Sequence, residues 1–234
     1  MVKSLSNKIA LITGATRGIG AAVAKRFVLE GAHVIAVGRS VADLELLDDE
    51  IKASGGTATL VQMDLLEVDK IELLATNIAK RFGRLDILVG NAGILGELTP
   101  VPHIEPQVWD KVMAINLTAN FHLIRCFDTL LKISATPRAM FVSSSATKGA
   151  HAYWGAYVVS KSALEKMVET YAAENLKTAL RVNLIDQGAV RTRMRAKAFP
   201  GEDPEKLPAP EDITDLFVRL ASDDMQKTGA KFTN

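Results

Sequence analysis

A short apolar run at Lys8–Thr13 breaks into Thr13-Gly14-Ala15-Thr16-Arg17-Gly18-Ile19-Gly20. Apolar residues at helical spacing follow from Ile19 to Leu29, where Gly31 stops them. A strand, a glycine turn and a helix in that order form a phosphate cradle. The glycines let the backbone turn sharply and approach a pyrophosphate, and the helix start offers unpaired N–H groups and the positive end of its dipole. The spacing is G-x-x-x-G-x-G, not the commoner G-x-G-x-x-G, so its place at the first strand–helix junction carries the argument. Gly14, Thr16, Arg17, Gly18, Ile19 and Gly20 are the candidate cradle residues.

The same alternation continues. Strands are expected at His33–Val37, Thr57–Met63 and Leu85–Val89, with helices at Val41–Ala53 and Val68–Phe82 between them. Continuous apolar strands separated by helices predict a parallel sheet covered on both faces, and three strands with two crossovers make a βαβαβ unit. The second half repeats the theme. A long helix is expected at Gln107–Ile133, a strand at Ala139–Val142, a second long helix at Gly155–Lys177 and a strand at Leu180–Ile185. A late helix at Glu211–Leu220 and a short strand near Ala230–Phe232 complete the pattern, while Pro200, Pro204, Pro208 and Pro210 mark a surface loop. No Gly/Ser-rich linker divides the chain, so 1–234 reads as one α/β domain, doubly wound, of Rossmann type.

The charge balance bears on partners. A net charge of +1 gives no electrostatic argument for nucleic acid. The single cysteine, Cys126, lies in an apolar helical pattern and reads as a small core residue. The segment Met1–Lys8 lacks the apolar core of a signal peptide, and no apolar run reaches the ~18 residues of a membrane span. The expectation is a cytoplasmic protein, away from membranes and without a metal.

The end of the second strand bears on the cofactor. An NAD site places Asp or Glu there for the ribose 2′-hydroxyl, whereas this chain has Ala36-Val37-Gly38-Arg39 and no acid before Asp43. A guanidinium grips a 2′-phosphate that a carboxylate would repel. Arg39, with Arg17 in the glycine turn, therefore favours NADP(H) over NAD(H).

Tyr157 and Lys161 stand four residues apart in Tyr157-Val158-Val159-Ser160-Lys161, on one face of the expected helix. A cation beside a phenol lowers the tyrosine pKa from about 10 and makes it usable as an acid–base group. On its own the pair is common on exposed helix faces. Two features accompany it. The run Ser143-Ser144-Ser145 ends the preceding strand, where a hydroxyl can hold a substrate oxygen. Asn116 interrupts the apolar stripe of Gln107–Ile133, which reads either as a site residue or as a core amide satisfied by backbone.

With these segments in order, the chain resembles the short-chain dehydrogenase/reductase family, of its classical type. The matching segments are T-G-A-T-R-G-I-G at 13–20, Asp64 after the third strand, N-A-G at 91–93, Asn116, the serine run and Y-V-V-S-K at 157–161. The resemblance spans nearly the whole chain. It implies a seven-stranded parallel sheet and hydride transfer between the nicotinamide and a carbonyl or secondary alcohol, with Tyr157 as general acid/base. It implies Ser144, among the three serines, as the substrate-oxygen contact. It implies Asp64 and Leu65 at the adenine, and Asn91, Ala92 and Gly93 beside the cofactor, with Asn91 bracing the sheet. Asn116 would hold a water linking Lys161 to a proton relay, and Lys161 would bind the nicotinamide ribose. Gly188, Val190 and Thr192 would contact the cofactor, Thr192 at its carboxamide or phosphates.

Two departures stand out. Gln187 replaces the proline of the family's Pro-Gly after the sixth strand, and the last strand stops at Lys231-Phe232-Thr233-Asn234 without the usual glycine-bearing tail, so that strand is expected to be short or completed by a neighbouring subunit. The substrate region is expected between Ala150–Trp154 and 188–210, with Trp154 as a pocket wall or as plain packing. Arg191, Arg193, Arg195 and Lys197 read as a solvated face or as a grip on an anionic substrate. The segments W-G-A-Y at 154–157 and R-T-R-M-R-A-K-A-F-P-G-E-D-P at 191–204 resemble a bacterial subgroup of the family and name no substrate. Apolar residues on several sides of the two long helices, with the family's habit of pairing through them, predict a homodimer or homotetramer. The competing readings are an NADP-binding sensor or scaffold without turnover, and epimerase or dehydratase chemistry on a nucleotide-linked sugar.

Overall fold

Strands of a parallel sheet covered on both faces need apolar residues at successive positions. The computed structural model, which describes residues 3–234, shows how they are used. In β1 (Ile9–Thr13), Ala10 and Ile12 enter the core on one face and Leu11 the core on the other. In β2 (His33–Gly38), Val34 and Ala36 are divided from Ile35 and Val37 in the same way. With β3 (Ala58–Gln62), β4 (Ile87–Gly90), β5 (Arg138–Val142), β6 (Arg181–Asp186) and β7 (Lys231–Thr233) they form one seven-stranded parallel sheet, in the order β3-β2-β1-β4-β5-β6-β7. Met1 and Val2, part of the segment read above for a signal peptide, lie outside the described residues.

Helices α1 (Gly18–Leu29) and α2 (Val41–Ala53) pack on one face around Phe27, together with Phe217 of the last helix (Thr214–Ala221). The other face is covered by α3 (Val68–Phe82) and by two longer helices, Ala119–Ile133 and Gly155–Glu174, around Phe127 and Phe141. The chain winds outward from β1 through β2 to β3 and then returns to place β4 on the opposite side of β1. That reversal opens a crevice at the carboxyl ends of β1 and β4, where open α/β sheets hold ligands. No helix among the described residues is long and apolar enough to cross a membrane.

Several elements differ from what the sequence predicts. The long helix expected at Gln107–Ile133 is α4 (Pro106–Met113), a five-residue π-helical segment (Ala114–Thr118) and α5 (Ala119–Ile133) in succession. Within it the Asn120 side-chain amide donates to the Asn116 carbonyl at 2.9 Å, where the helix departs from the regular ladder. The helix α6 (Gly155–Glu174) ends three residues before the expected Lys177. Just before the proline-crowded stretch, Thr192 accepts a hydrogen bond from the Arg195 N–H and starts a short helix, α7 (Arg193–Ala198), one of the two forms, helix face or loop, expected for Arg191–Lys197. The late helix, α8 (Thr214–Ala221), follows a 3-10 turn at Pro210–Ile213, and the last strand forms one residue later than expected.

Phe127 is fully buried between α5 and the sheet. Phe127→Ala is expected to cost about 3–5 kcal/mol of stability. Urea unfolding would read this as a lower midpoint at unchanged slope, and a loss under about 1 kcal/mol would contradict this packing.

Candidate active site

The crevice is held at a defined width by the ends of β1 and β4. The Thr13 hydroxyl accepts from the Asn91 and Ala92 N–H groups at 3.1 Å each, and the Asn91 amide donates to the carbonyls of Thr13 (2.9 Å) and Gly14 (3.2 Å). Gly14 takes the left-handed conformation at φ +63°. At Gly20 a Cβ would sit 2.1 Å from the Gly14 carbonyl oxygen and 2.5 Å from the Asn91 amide nitrogen, so only glycine lets α1 start this close to the turn. Arg17 caps α1 with extended backbone and no side-chain hydrogen bond, which leaves the first-turn N–H groups directed at a ligand. Thr16 packs its methyl over Gly38, and Ile19 packs against the core beneath the cradle. The concave backbone and the uncapped helix start fit a dinucleotide pyrophosphate.

At the far side of the crevice Arg17 and Arg39 are both exposed. Arg39 lies 3.9 Å from the Asp64 carboxylate, an exposed and loose pairing. Asp64 also accepts from the Leu66 N–H at 3.1 Å, and the Leu65 side chain is buried in the core. The residues expected at the adenine end therefore do converge on the ends of β2 and β3.

At the opposite end α6 presents Tyr157, Lys161 and Glu165 at four-residue intervals on one face. Tyr157 and Lys161 are buried. The serine run divides by direction. Ser143 is buried and bonds to Glu165, the Ser144 hydroxyl accepts from the Ala146 N–H at 3.2 Å and lies near the Tyr157 phenol, and Ser145 is exposed. Lys161 donates to the Val142 carbonyl at 2.7 Å, and the backbone of Gly93 lies close to its ammonium. Asn116 is buried, accepts from the Ile94 N–H at 2.8 Å, and donates to the Ile94 carbonyl at 2.9 Å and the Ser160 hydroxyl at 3.0 Å. Its side-chain amide is thus the satisfied core amide of one of the two readings, and only its carbonyl, already bonded by Asn120, is left for a water.

The expected lowering of the Tyr157 pKa by Lys161 is not what the free protein has. Burial holds the phenol above its ordinary value, the Ser144 hydrogen bond opposes this, and the Asp186 carboxylate adds to the rise. Burial lowers the Lys161 ammonium to about 8, against the supporting charge of Glu165.

After β6, Gly188 is at φ +71° and its N–H donates to Asp186 Oδ1 at 3.1 Å. This Asx turn does the bending that the missing proline would have set. The Gln187 amide oxygen is buried without a partner among the described residues. Val190 buries its side chain in the core, so only its backbone can face a ligand. Thr192 sets its methyl against Gly18 at the cradle. Trp154 meets the Tyr157 ring edge-on at 5.8 Å and Phe199 at 5.7 Å. Arg191 pairs with Glu205 (2.7 Å), Arg195 with Glu202 (2.6 Å), and Lys197 donates to the Gly96 carbonyl (3.0 Å). Three of the four cations proposed for an anionic substrate are therefore already engaged.

A family model described as short chain dehydrogenase matches residues 8–203. The chain belongs to the short-chain dehydrogenase family. It is similar to the uncharacterized oxidoreductase YciK of Escherichia coli K12, at 40% identity over 232 residues, covering 97% of this chain and 92% of YciK. Among solved structures, a short chain dehydrogenase from E. coli CFT073 complexed with NADPH is 40% identical with a TM-score of 0.96, covering 100% of this chain and 98% of that one. Another from Shigella flexneri 2a complexed with NADP is 39% identical with a TM-score of 0.95, covering 100% and 99%. As a member of this family the chain is an oxidoreductase.

For this short-chain dehydrogenase, sequence reasoning passed over Thr13, Ser160, Glu165, Asp186 and Lys231. Glu165 had a usable signal, since it continues the four-residue spacing of Tyr157 and Lys161. Lys231 had none, because its partners are 45 to 87 residues away in the chain.

Gly20→Ala forces the Gly14 carbonyl out of the turn. Dinucleotide binding, read by quenching of tryptophan fluorescence, is expected to weaken by about tenfold or more, equivalent to ~1.4 kcal/mol. Unchanged affinity would mean that this turn does not cradle the pyrophosphate.

Proposed function

We propose that this short-chain dehydrogenase moves a hydride between NADP(H) and a carbonyl or secondary alcohol, with Tyr157 as the general acid/base. The observation that carries the reading is the buried Tyr157 phenol with the Ser144 hydroxyl near it, Lys161 one turn further along the same helix face and Gly93 of the crevice beside that lysine. When bound, the nicotinamide supplies the hydride. Ser144 and Tyr157 together hold the substrate oxygen, and the phenol, kept protonated by its burial, gives that oxygen a proton. Lys161 holds the nicotinamide ribose and Asn116 supports the proton path behind it.

Arg17 and Arg39 take the 2′-phosphate, a role consistent with the absence of an acid at the end of β2 and with the NADPH and NADP in the two related structures. Gly14–Gly20 hold the pyrophosphate, Asp64 and Leu65 the adenine, Asn91–Gly93 the middle of the cofactor, and Gly188, Val190 and Thr192 its carboxamide end. The region 188–210 covers the substrate. Trp154 walls it, and the ion pairs that occupy Arg191 and Arg195 favour an uncharged, largely apolar carbonyl over an anion. A sensor or scaffold has no use for a buried phenol set one helical turn from a buried ammonium at the crevice. We also propose a homodimer or homotetramer through α5 and α6, whose Phe121, Ile133 and Val159 are exposed. Light scattering that gave a monomer at micromolar concentration would overturn that assembly.

A panel of aldehydes, ketones, quinones and secondary alcohols, followed at the NADPH absorbance band, tests the function. Tyr157→Phe is expected to lower kcat by about 10³-fold or more while NADPH affinity stays within about threefold. A variant keeping most of its activity would remove Tyr157 from the role. Arg39→Asp is expected to weaken NADPH binding by about tenfold or more and to spare NADH. Equal losses for both cofactors would place the 2′-phosphate elsewhere.

A further inference from the structure

Lys231 belongs to the last strand, at the edge of the sheet, yet its side chain is four-fifths buried and turns inward toward the catalytic end. Its ammonium donates to the Glu165 carboxylate at 2.6 Å, to the Thr147 hydroxyl at 2.9 Å and to the Ser144 carbonyl at 3.1 Å. Asp186 Oδ2 lies at 3.9 Å. An ammonium has three N–H donors, and here each has an acceptor.

All three acceptors sit on the segments that carry the proposed chemistry. Ser144 is the proposed substrate contact itself. Thr147 closes the turn that begins at Ser144, its hydroxyl 2.9 Å from both the Ser144 carbonyl and the Glu165 carboxylate. Glu165 stands one helical turn beyond Lys161, and the same carboxylate oxygen, Oε1, that accepts from Lys231 and Thr147 also accepts from Ser143. The titratable groups facing Lys231 are Glu165 from α6 and Asp186 from β6, and these in turn face Lys161 and Tyr157 respectively. Burial works to raise the Glu165 pKa, but the hydrogen bonds from Lys231, Ser143 and Thr147 outweigh it and keep the carboxylate ionised.

We propose that Lys231 is a positioning residue for catalysis. Its ammonium fixes the Ser144 loop against helix α6 and neutralises Glu165 behind Lys161, so the last strand sets both the place of the serine and the charge felt by the lysine. The proposal rests on the roles assigned above to Ser144, Tyr157 and Lys161.

The sign of the effect on Lys161 is fixed. Without the Lys231 charge the Ser143 and Thr147 hydrogen bonds still hold the Glu165 carboxylate, which near pH 8 stays ionised and is less neutralised, and this favours the protonated form of its other neighbour, Lys161.

The test uses the full chain with ¹³C-labelled lysine, following the Lys161 side-chain signal through a pH titration. Lys231→Met is expected to raise the Lys161 midpoint from about 8 by roughly half a pH unit. With a carbonyl substrate found in the panel, kcat should fall about tenfold while the KM for NADPH stays within about twofold. Lys231→Arg should restore most of both. Should Lys231→Met fail to fold, Lys231→Gln, which keeps a donor without the charge, reads the same Lys161 shift. An unmoved Lys161 midpoint in a folded Met or Gln variant, or an Arg variant as impaired as the Met variant, would overturn the proposal. If the unaltered protein turned over no carbonyl, the hydride-transfer reading would fail by itself and the titration would still decide the charge coupling.

Discussion

The structure depends first on the joint between the ends of β1 and β4. These neighbouring strands send their chains in opposite directions, so a gap is forced between them, and backbone hydrogen bonds of the sheet cannot bridge it. Side chains take over that task. Thr13 accepts two N–H groups of the β4 exit, and Asn91 returns two hydrogen bonds to the β1 exit. These are part-buried bonds, and leaving such groups unpaired costs on the order of 1–3 kcal/mol each. The joint sets how far apart the cradle and the Asn91–Gly93 segment stand. It also sets where Gly93 meets Asn116 and Lys161. The adenine end and the catalytic end are thus referenced to one common edge.

Much of this was legible in the sequence, for a definable reason. Strands covered on both faces and helices of full length leave strong local patterns, and β1, α1, β2 and α3 are read from spacing alone. The glycine turn was legible because close backbone approach admits one residue type. Interactions between distant segments were not legible. Nothing in Ser143-Ser144-Ser145 distinguishes the three hydroxyls, and only the fold bonds the first to Glu165, turns the second toward the phenol end of α6 and leaves the third exposed. The π-helical segment at Ala114–Thr118 was hidden because its apolar periodicity is nearly that of an α-helix. Helix α7 was left open between helix and loop because its six residues are too few to show a period, and the Thr192 cap decides it. The arginines near it looked available in sequence, whereas their carboxylate partners lie 7 and 14 residues on.

Burial at the catalytic end pushes two neighbouring proton carriers in opposite directions. It raises the phenol of Tyr157, favouring the protonated and neutral form, and it lowers the ammonium of Lys161, favouring loss of a proton. The same low-dielectric surroundings thus keep the phenol a donor and bring the lysine close to neutrality. With a pKa of about 8, the lysine is still roughly ten to one protonated at pH 7. The free protein therefore holds both protons. A phenol in that condition suits the donation of a proton to an oxygen that gains charge as hydride arrives at its carbon. Running the chemistry the other way requires the phenolate, which burial disfavours and a cationic ring brought alongside would favour.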